Sequence, residues 1–197
     1  RRALARTADA GGSRGVAPCD RLRDPRVSRR LLQRIRQFFR AVTARVDTRD
    51  DAFVRAHLPA AAQSLFYAMH RVDQCHAIRV AYTAAQLAAR ERAALDRALL
   101  LRAALLHDVG RRKGDLDLFG KVAAVLLTHF FPRRSRAWAA AGCRLLFVYY
   151  EHPAIGARLL ERIGMIQEAA LVRRHHAAPA ATDSRELRLL RAADEAN

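Results

Sequence analysis

From Asp50 to Asn197 the apolar positions recur at the three-to-four-residue spacing of helices, and no stretch alternates as a half-buried strand does. Asp50 or Asp51 is placed to cap a helix that begins near Ala52, and Pro59 to open the next, which runs through Leu65 and Phe66. Val72–Arg90 is apolar almost all round. Arg79, Gln86 and Arg90 make one narrow polar stripe, so this helix is expected inside the domain. Leu95–Val109 follows and stops at Gly110, and Phe119–Phe131 and Arg136–Tyr150 read as two further helices separated by Pro132. Pro153 sits where a first-turn proline would start a helix over Ala154–Ile163, and Gly164 would end it. Ile166–His176 comes next, broken by Pro179, and Asp183 with Glu186 has the spacing of a capping box for a last helix. The expected fold class is therefore all-α, a helical bundle over residues 50–197.

Residues 1–49 are patterned differently. Arg1–Arg30 is rich in Arg, Gly and Asp with little apolar periodicity, the composition of a disordered segment. Leu31–Val46 reads as a short basic helix with Leu31, Leu32, Ile35, Phe38, Phe39 and Val42 on one side. It would either pack on the domain or serve as an arm for nucleic acid or a membrane surface. Asp9, Asp20 and Asp24 argue against a transit peptide, which should lack acids. The chain thus divides into a basic N-terminal extension and one helical domain.

Composition adds partners and compartment. At 197 residues, 51% hydrophobic and 28% charged, the chain is long enough for one domain with a sizeable core. No run reaches the roughly 18 apolar residues of a membrane span. Cys19, Cys75 and Cys143 are isolated and odd in number, which argues against a disulfide framework and fits a reducing cytoplasmic setting. The net charge is +17, and only Lys113 and Lys121 among the 36 basic residues are lysine. The first fifty residues hold 14 Arg against 5 Asp. Guanidinium forks match phosphate oxygens, so the expected partner is anionic: a nucleotide or other phosphate-containing small molecule, or nucleic acid bound through the N-terminus.

The candidate chemistry lies in His76, His107-Asp108, His152, His175-His176 and Asp194, a set that takes five of the chain's 8 histidines. Imidazole and carboxylate are the ligands of a hydrolytic metal site. Asp108 stands inside Ala103-Ala-Leu-Leu-His-Asp-Val-Gly110, where a carboxylate is costly unless something such as a metal ion compensates its burial. Asp194 falls on the stripe Leu187, Leu190, Asp194, the buried side of its helix by spacing. Taken singly, each has a plainer reading: His76 as a core histidine, His152 as a cap, His175-His176 as a cationic helix terminus, Asp194 as the partner of a buried arginine. His57, His70 and His129 fall outside the set and read as surface or packing residues.

The order His76…His107-Asp108…Asp194 resembles the H…HD…D signature of the HD-domain superfamily of metal-dependent phosphohydrolases, which are all-helical, and the resemblance covers about residues 52–197. Two-metal members carry further histidines between the HD pair and the last Asp, a place that His152 and His175-His176 match. His107-Asp108-Val-Gly and His152-Pro-Ala-Ile-Gly-Ala-Arg-Leu-Leu look like the HDIG-type subgroup. The related cyclic-diguanylate phosphodiesterases have Gly-Tyr-Pro after the paired histidines, whereas here His176 is followed by Ala-Ala-Pro-Ala-Ala-Thr. The subgroup's lysine after His-Asp-x-Gly is replaced by Arg111, with Arg112 and Lys113 following. The resemblance implies one divalent metal on His76, His107, Asp108 and Asp194, and a second on Asp108, His152, His175 and/or His176. Fe, Mn, Zn, Co and Ni all suit such ligands. Asp108 would bridge two ions about 3.5–4 Å apart that activate a hydroxide, and Arg111, Arg112 or Lys113 would clamp phosphate unless the three form a solvated basic turn. The implied activity is hydrolysis of a nucleotide, cyclic dinucleotide or related phosphate ester. A catalytically silent metal-binding regulatory module and a nucleic-acid-associated protein that uses its arginine-rich arm are the alternatives. Substrate selectivity would lie in Gly114–Tyr150.

Overall fold

The computed structural model of the chain describes residues 47–111 and 118–197. The regular structure of those residues is helical, in the order α1 Thr48–His57, α2 Ala60–Tyr67, α3 Arg71–Arg90, α4 Arg97–Leu106, α5 Leu118–Phe130, α6 Pro132–Ala140, α7 Arg144–Arg162, α8 Ile166–Arg174 and α9 Arg185–Glu195. The fold is an all-α bundle. The expected disorder of Arg1–Arg30 and the helix over Leu31–Val46 lie outside the described residues, as do Arg112 and Lys113.

At the centre lies α4, with Leu100, Ala103, Ala104, Leu105 and Leu106 all fully buried. Such a helix needs neighbours on every side, and α1, α2, α3, α8 and α9 all pack on it. Each buried leucine contributes about 1.5–3 kcal/mol, so the end of α4 is held firmly where His107 and Asp108 emerge. The alanines matter as much as the leucines. Ala77, Ala81, Ala84 and Ala88 line the buried side of α3, which packs closely on α4 and α9. In contrast, α5 and α6 pack on each other and on α7, around a small cluster of Ala124, Ala139 and Leu146. Exposed apolar side chains gather in this part: Leu126, Phe130, Phe131, Trp138 and Phe147.

Several boundaries differ from expectation. The first helix is capped by Asp47, whose carboxylate accepts from the amides of Arg49 and Asp50, so it starts at Thr48 and Asp50 serves as the third residue of a capping box. The helix expected over Arg136–Tyr150 is two helices. Gly142 adopts φ 95°, and the amides of Gly142 and Cys143 bond back to the carbonyls of Ala139 and Trp138. This left-handed stop ends α6 in the same way that Gly164, φ 78°, ends α7 through Gly164→Glu161 and Met165→Leu160. Pro153 does not begin a helix; it lies inside α7. The last helix is capped by Ser184, which accepts from the Leu187 amide. Asp183 is taken instead by the Ala180 amide, Arg174 and Arg191, and Glu186 accepts from the Asp96 amide. No helix among the described residues is long and apolar enough to cross a membrane.

Candidate metal centre

Three helices present histidines by one backbone device. His107 caps the C-terminus of α4 and donates its Nδ1–H to the Ala104 carbonyl at 2.8 Å. His175 does the same at the end of α8, to Val172 at 2.7 Å. Carbonyls in a helix's last turn lack intrahelical partners, so each is open to the imidazole three residues on. His152 stands in mid-helix, where every carbonyl is normally used. The Tyr149 carbonyl is the exception, because its partner would be the amide of Pro153, which has no N–H. His152 Nδ1–H donates to it at 2.8 Å. In all three rings the hydrogen bonding assigns the proton to Nδ1 and turns Nε2, with its lone pair, away from the backbone. The proline that spacing suggested as a helix start thus frees an acceptor for an imidazole in mid-helix.

Those Nε2 atoms converge. His76 on α3 donates from Nε2 to Asp194 Oδ1 on α9 at 2.9 Å. His107 Nε2 lies 3.6 Å from both Asp108 Oδ2 and Asp194 Oδ1, and His152 Nε2 lies 3.3 Å from Asp108 Oδ1. The rings of His175 and His176 stand 4.0 Å apart, with His176 also 5.1 Å from His152. Donor atoms of Asp108, His152, His175 and His176 all lie within 4.8 Å of one another, as do those of His76, His107 and Asp108, and those of His107, His175 and Asp194. The seven residues named from the sequence therefore come together, although His76 and Asp194 are 118 positions apart. The Nε2 atoms of His107 and His175 and Oδ1 of Asp108 are buried without a hydrogen-bond partner. Buried bare acceptors are costly, and divalent cations are what imidazole nitrogens and a carboxylate oxygen together satisfy. The residues fit a metal centre.

The electrostatics agree. Burial alone would push the Asp108 carboxyl up. The Arg111 guanidinium beside it, then His107 and His152, outweigh that and hold it well below the usual carboxylate range. Asp194 is likewise held down against its burial by the hydrogen bond from His76 and by His107. Burial, then the Arg111 charge, push His152 down to about 4. Burial and the neighbouring histidines hold His175 well below its ordinary range, and burial lowers His176. The carboxylates are charged and these imidazoles neutral near pH 7, the protonation states a metal requires.

Two glycines set the distance between the halves of this cluster. A Cβ on Gly110 would lie 2.1 Å from the His152 carbonyl oxygen and 2.9 Å from the Gly156 amide nitrogen. A Cβ on Gly156 would meet the Gly110 amide nitrogen at 3.2 Å. The turn after α4 and the body of α7 touch backbone to backbone here, which brings Asp108 to His152. Both glycines end the His-Asp-Val-Gly and His-Pro-Ala-Ile-Gly fragments that stood out in the sequence.

Arg111 is not a solvated turn residue. Its Nη1 donates to Asp108 Oδ2 at 2.8 Å and its Nη2 to His152 Nε2 at 3.1 Å. Sequence reasoning passed over three participants. Asp73, buried one turn before His76, adds a negative charge that acts on Arg111. Arg191 on α9 donates to the carbonyls of Arg174 and His175 and to Asp183, tying down the end of α8. Asp183 in turn holds Arg174. An acidic residue three positions before His76, among the buried positions of its helix, was the available clue to the first. His57 bonds to the Phe53 carbonyl, His70 caps α3 and His129 is exposed; none joins the cluster.

A family model described as HD domain matches residues 74–196. No curated protein and no solved structure gives a match.

Proposed function

As this chain belongs to the HD-domain family, we propose that it is a metal-dependent phosphohydrolase, with a phosphate ester such as a nucleotide or cyclic dinucleotide as substrate. The observation that carries this reading is the buried, unpartnered set of His107 Nε2, His175 Nε2 and Asp108 Oδ1 at one point. His76, His107, Asp108 and Asp194 would hold one divalent ion, and Asp108, His152, His175 and His176 a second. Such ions would supply the acidity that turns water into a nucleophile at neutral pH and the charge that polarises a phosphoryl group. The chain's own residues supply the rest. The helix carbonyls of Ala104, Tyr149 and Val172 fix the imidazole tautomers. Arg191 and Asp183 hold the loop that carries His175 and His176. The net charge of +17 draws phosphate-bearing molecules toward the protein.

The test is metal analysis of protein purified with and without air, followed by a screen of phosphate esters and nucleotides. Divalent metal should co-purify, and phosphate or nucleotide release should require it. No bound metal together with no metal-dependent turnover overturns the reading. Bound metal without turnover on any ester leaves a silent metal-binding module as the function.

A further inference from the structure

The two ligand sets are not equally open to an ion. His152 Nδ1 spends its proton on the Tyr149 carbonyl, so Nε2 is an acceptor with a single in-plane lone pair. That lone pair receives Arg111 Nη2–H at 3.1 Å. The same guanidinium donates from Nη1 to Asp108 Oδ2 at 2.8 Å. It therefore bridges two of the four residues of the set Asp108, His152, His175 and His176. A lone pair that accepts an N–H cannot at the same time ligate a metal at the usual distance of about 2.0–2.2 Å. In the other set the engaged nitrogen, His76 Nε2, is held at 2.9 Å by Asp194, a ligand of the same ion, and the guanidinium reaches that set only through the shared Asp108 Oδ2, 3.6 Å from His107 Nε2.

Arg111 is suited to this place. Its side chain is 21% exposed, held by Gly110 against α7, in a region where three carboxylates act on it. A guanidinium is charged at any working pH, and this one lies 2.8 Å from the buried Asp108 carboxylate. A fixed organic cation thus stands among ligands suited to an inorganic one.

We propose that Arg111 is the resident cation of the second ion position, so that the second divalent ion binds only by displacing its guanidinium from His152 and Asp108. The proposal rests on the metal-centre reading and adds an order to it. The ion on His76, His107, Asp108 and Asp194 binds first and tightly. The second binds weakly, because it must break a charged bidentate contact before its own bonds form.

Titration of metal-stripped protein with Mn²⁺, followed by calorimetry and by metal analysis after dialysis, tests this on the wild type, Arg111→Met and Arg111→Lys. The wild type should show one tight ion and a second weaker by about tenfold or more. Arg111→Met, which removes donor and charge but keeps length, should tighten the second ion by about tenfold and the first by less, about threefold at most, through the shared Asp108. Arg111→Lys, a single point donor that cannot fork across both groups, should fall between them. In wild-type protein, phenylglyoxal labelling of Arg111, mapped by mass spectrometry, should rise as the second ion binds and not as the first does. A second-ion affinity that is unchanged or weaker in Arg111→Met, or labelling indifferent to the second ion, overturns the proposal while the first ion still demonstrates the centre. No ion on any of the three proteins overturns the centre and this proposal together.

Discussion

The two halves of the centre use the same kinds of ligand and neutralise them differently. In the first, His76 and Asp194 meet at 2.9 Å and His107 faces both carboxylates at 3.6 Å. Imidazole answers carboxylate there, from helices anchored on the main core. In the second, His152 faces Asp108 at 3.3 Å, His175 lies within reach of Asp194 as well, and the charge that answers the Asp108 carboxylate comes from Arg111. A ligand set is thus defined by more than its residue types. What occupies each lone pair decides how readily an ion enters. Asp108 belongs to both halves, one oxygen taken by Arg111 and the other bare.

That shared position gives the largest expected effect. Asp108→Ala should abolish binding at both halves, and turnover should fall on the order of 10³-fold, the several kcal/mol that metal activation supplies. Metal content and circular dichroism on the same sample check it; full metal content in a folded variant would end the description of Asp108 as the bridge. Next is Gly110→Ala. A Cβ 2.1 Å from the His152 carbonyl oxygen has to push α7 away, with backbone rather than a flexible side chain in its path. We expect a loss of about 3 kcal/mol in denaturant unfolding and, in whatever remains folded, loss of the second ion before the first. An unchanged midpoint would show that the two backbones have room to part.

Single-ligand variants sharpen the contrast. His152→Ala should leave the first ion bound within about threefold, whereas His76→Ala should weaken it by about 10–100-fold, both read by titration with metal. Equal effects of the two variants on the first ion would mean that the halves are one site. The smallest effect concerns the clamp on the loop that bears His175 and His176. The Ala180 amide, then the Arg191 and Arg174 side chains, hold the Asp183 carboxyl below its ordinary 3.8. Because the folded value is depressed, the unfolded chain takes up the proton first. Asp183 therefore contributes stability above about pH 4 that is lost as pH falls from there through its folded value. The melting temperature of wild type should exceed that of Asp183→Asn near neutrality, and the gap should close in acid. A gap that persists unchanged at low pH would remove the clamp from the account.

Local pattern sufficed for the helical class and for most element positions, because burial of one face at a period near 3.6 leaves its mark on neighbouring residues. The residues that converge were also legible: an aspartate after a histidine within Ala-Ala-Leu-Leu has no comfortable place in a core without a partner. Errors arose where one residue type supports two outcomes. Proline opens helices and also interrupts them, and only the surroundings of α7 decide that Pro153 is internal. Gly142 stops a helix as Gly164 does, yet the apolar run around it resembled one continuous helix.

Residue chemistry and helical periodicity, both properties of short segments, determined which histidines and aspartates stood out, their order and the helices that carry them. Convergence belonged to the fold alone, since His76 and Asp194 meet through the packing of α3 and α9 across 118 positions. So did the division into unlike halves. Whether a lone pair is free depends on which carbonyl holds the other ring nitrogen and which donor reaches across from another element. Those distances are set where Gly110 and Gly156 let two backbones touch, and no local pattern contains them.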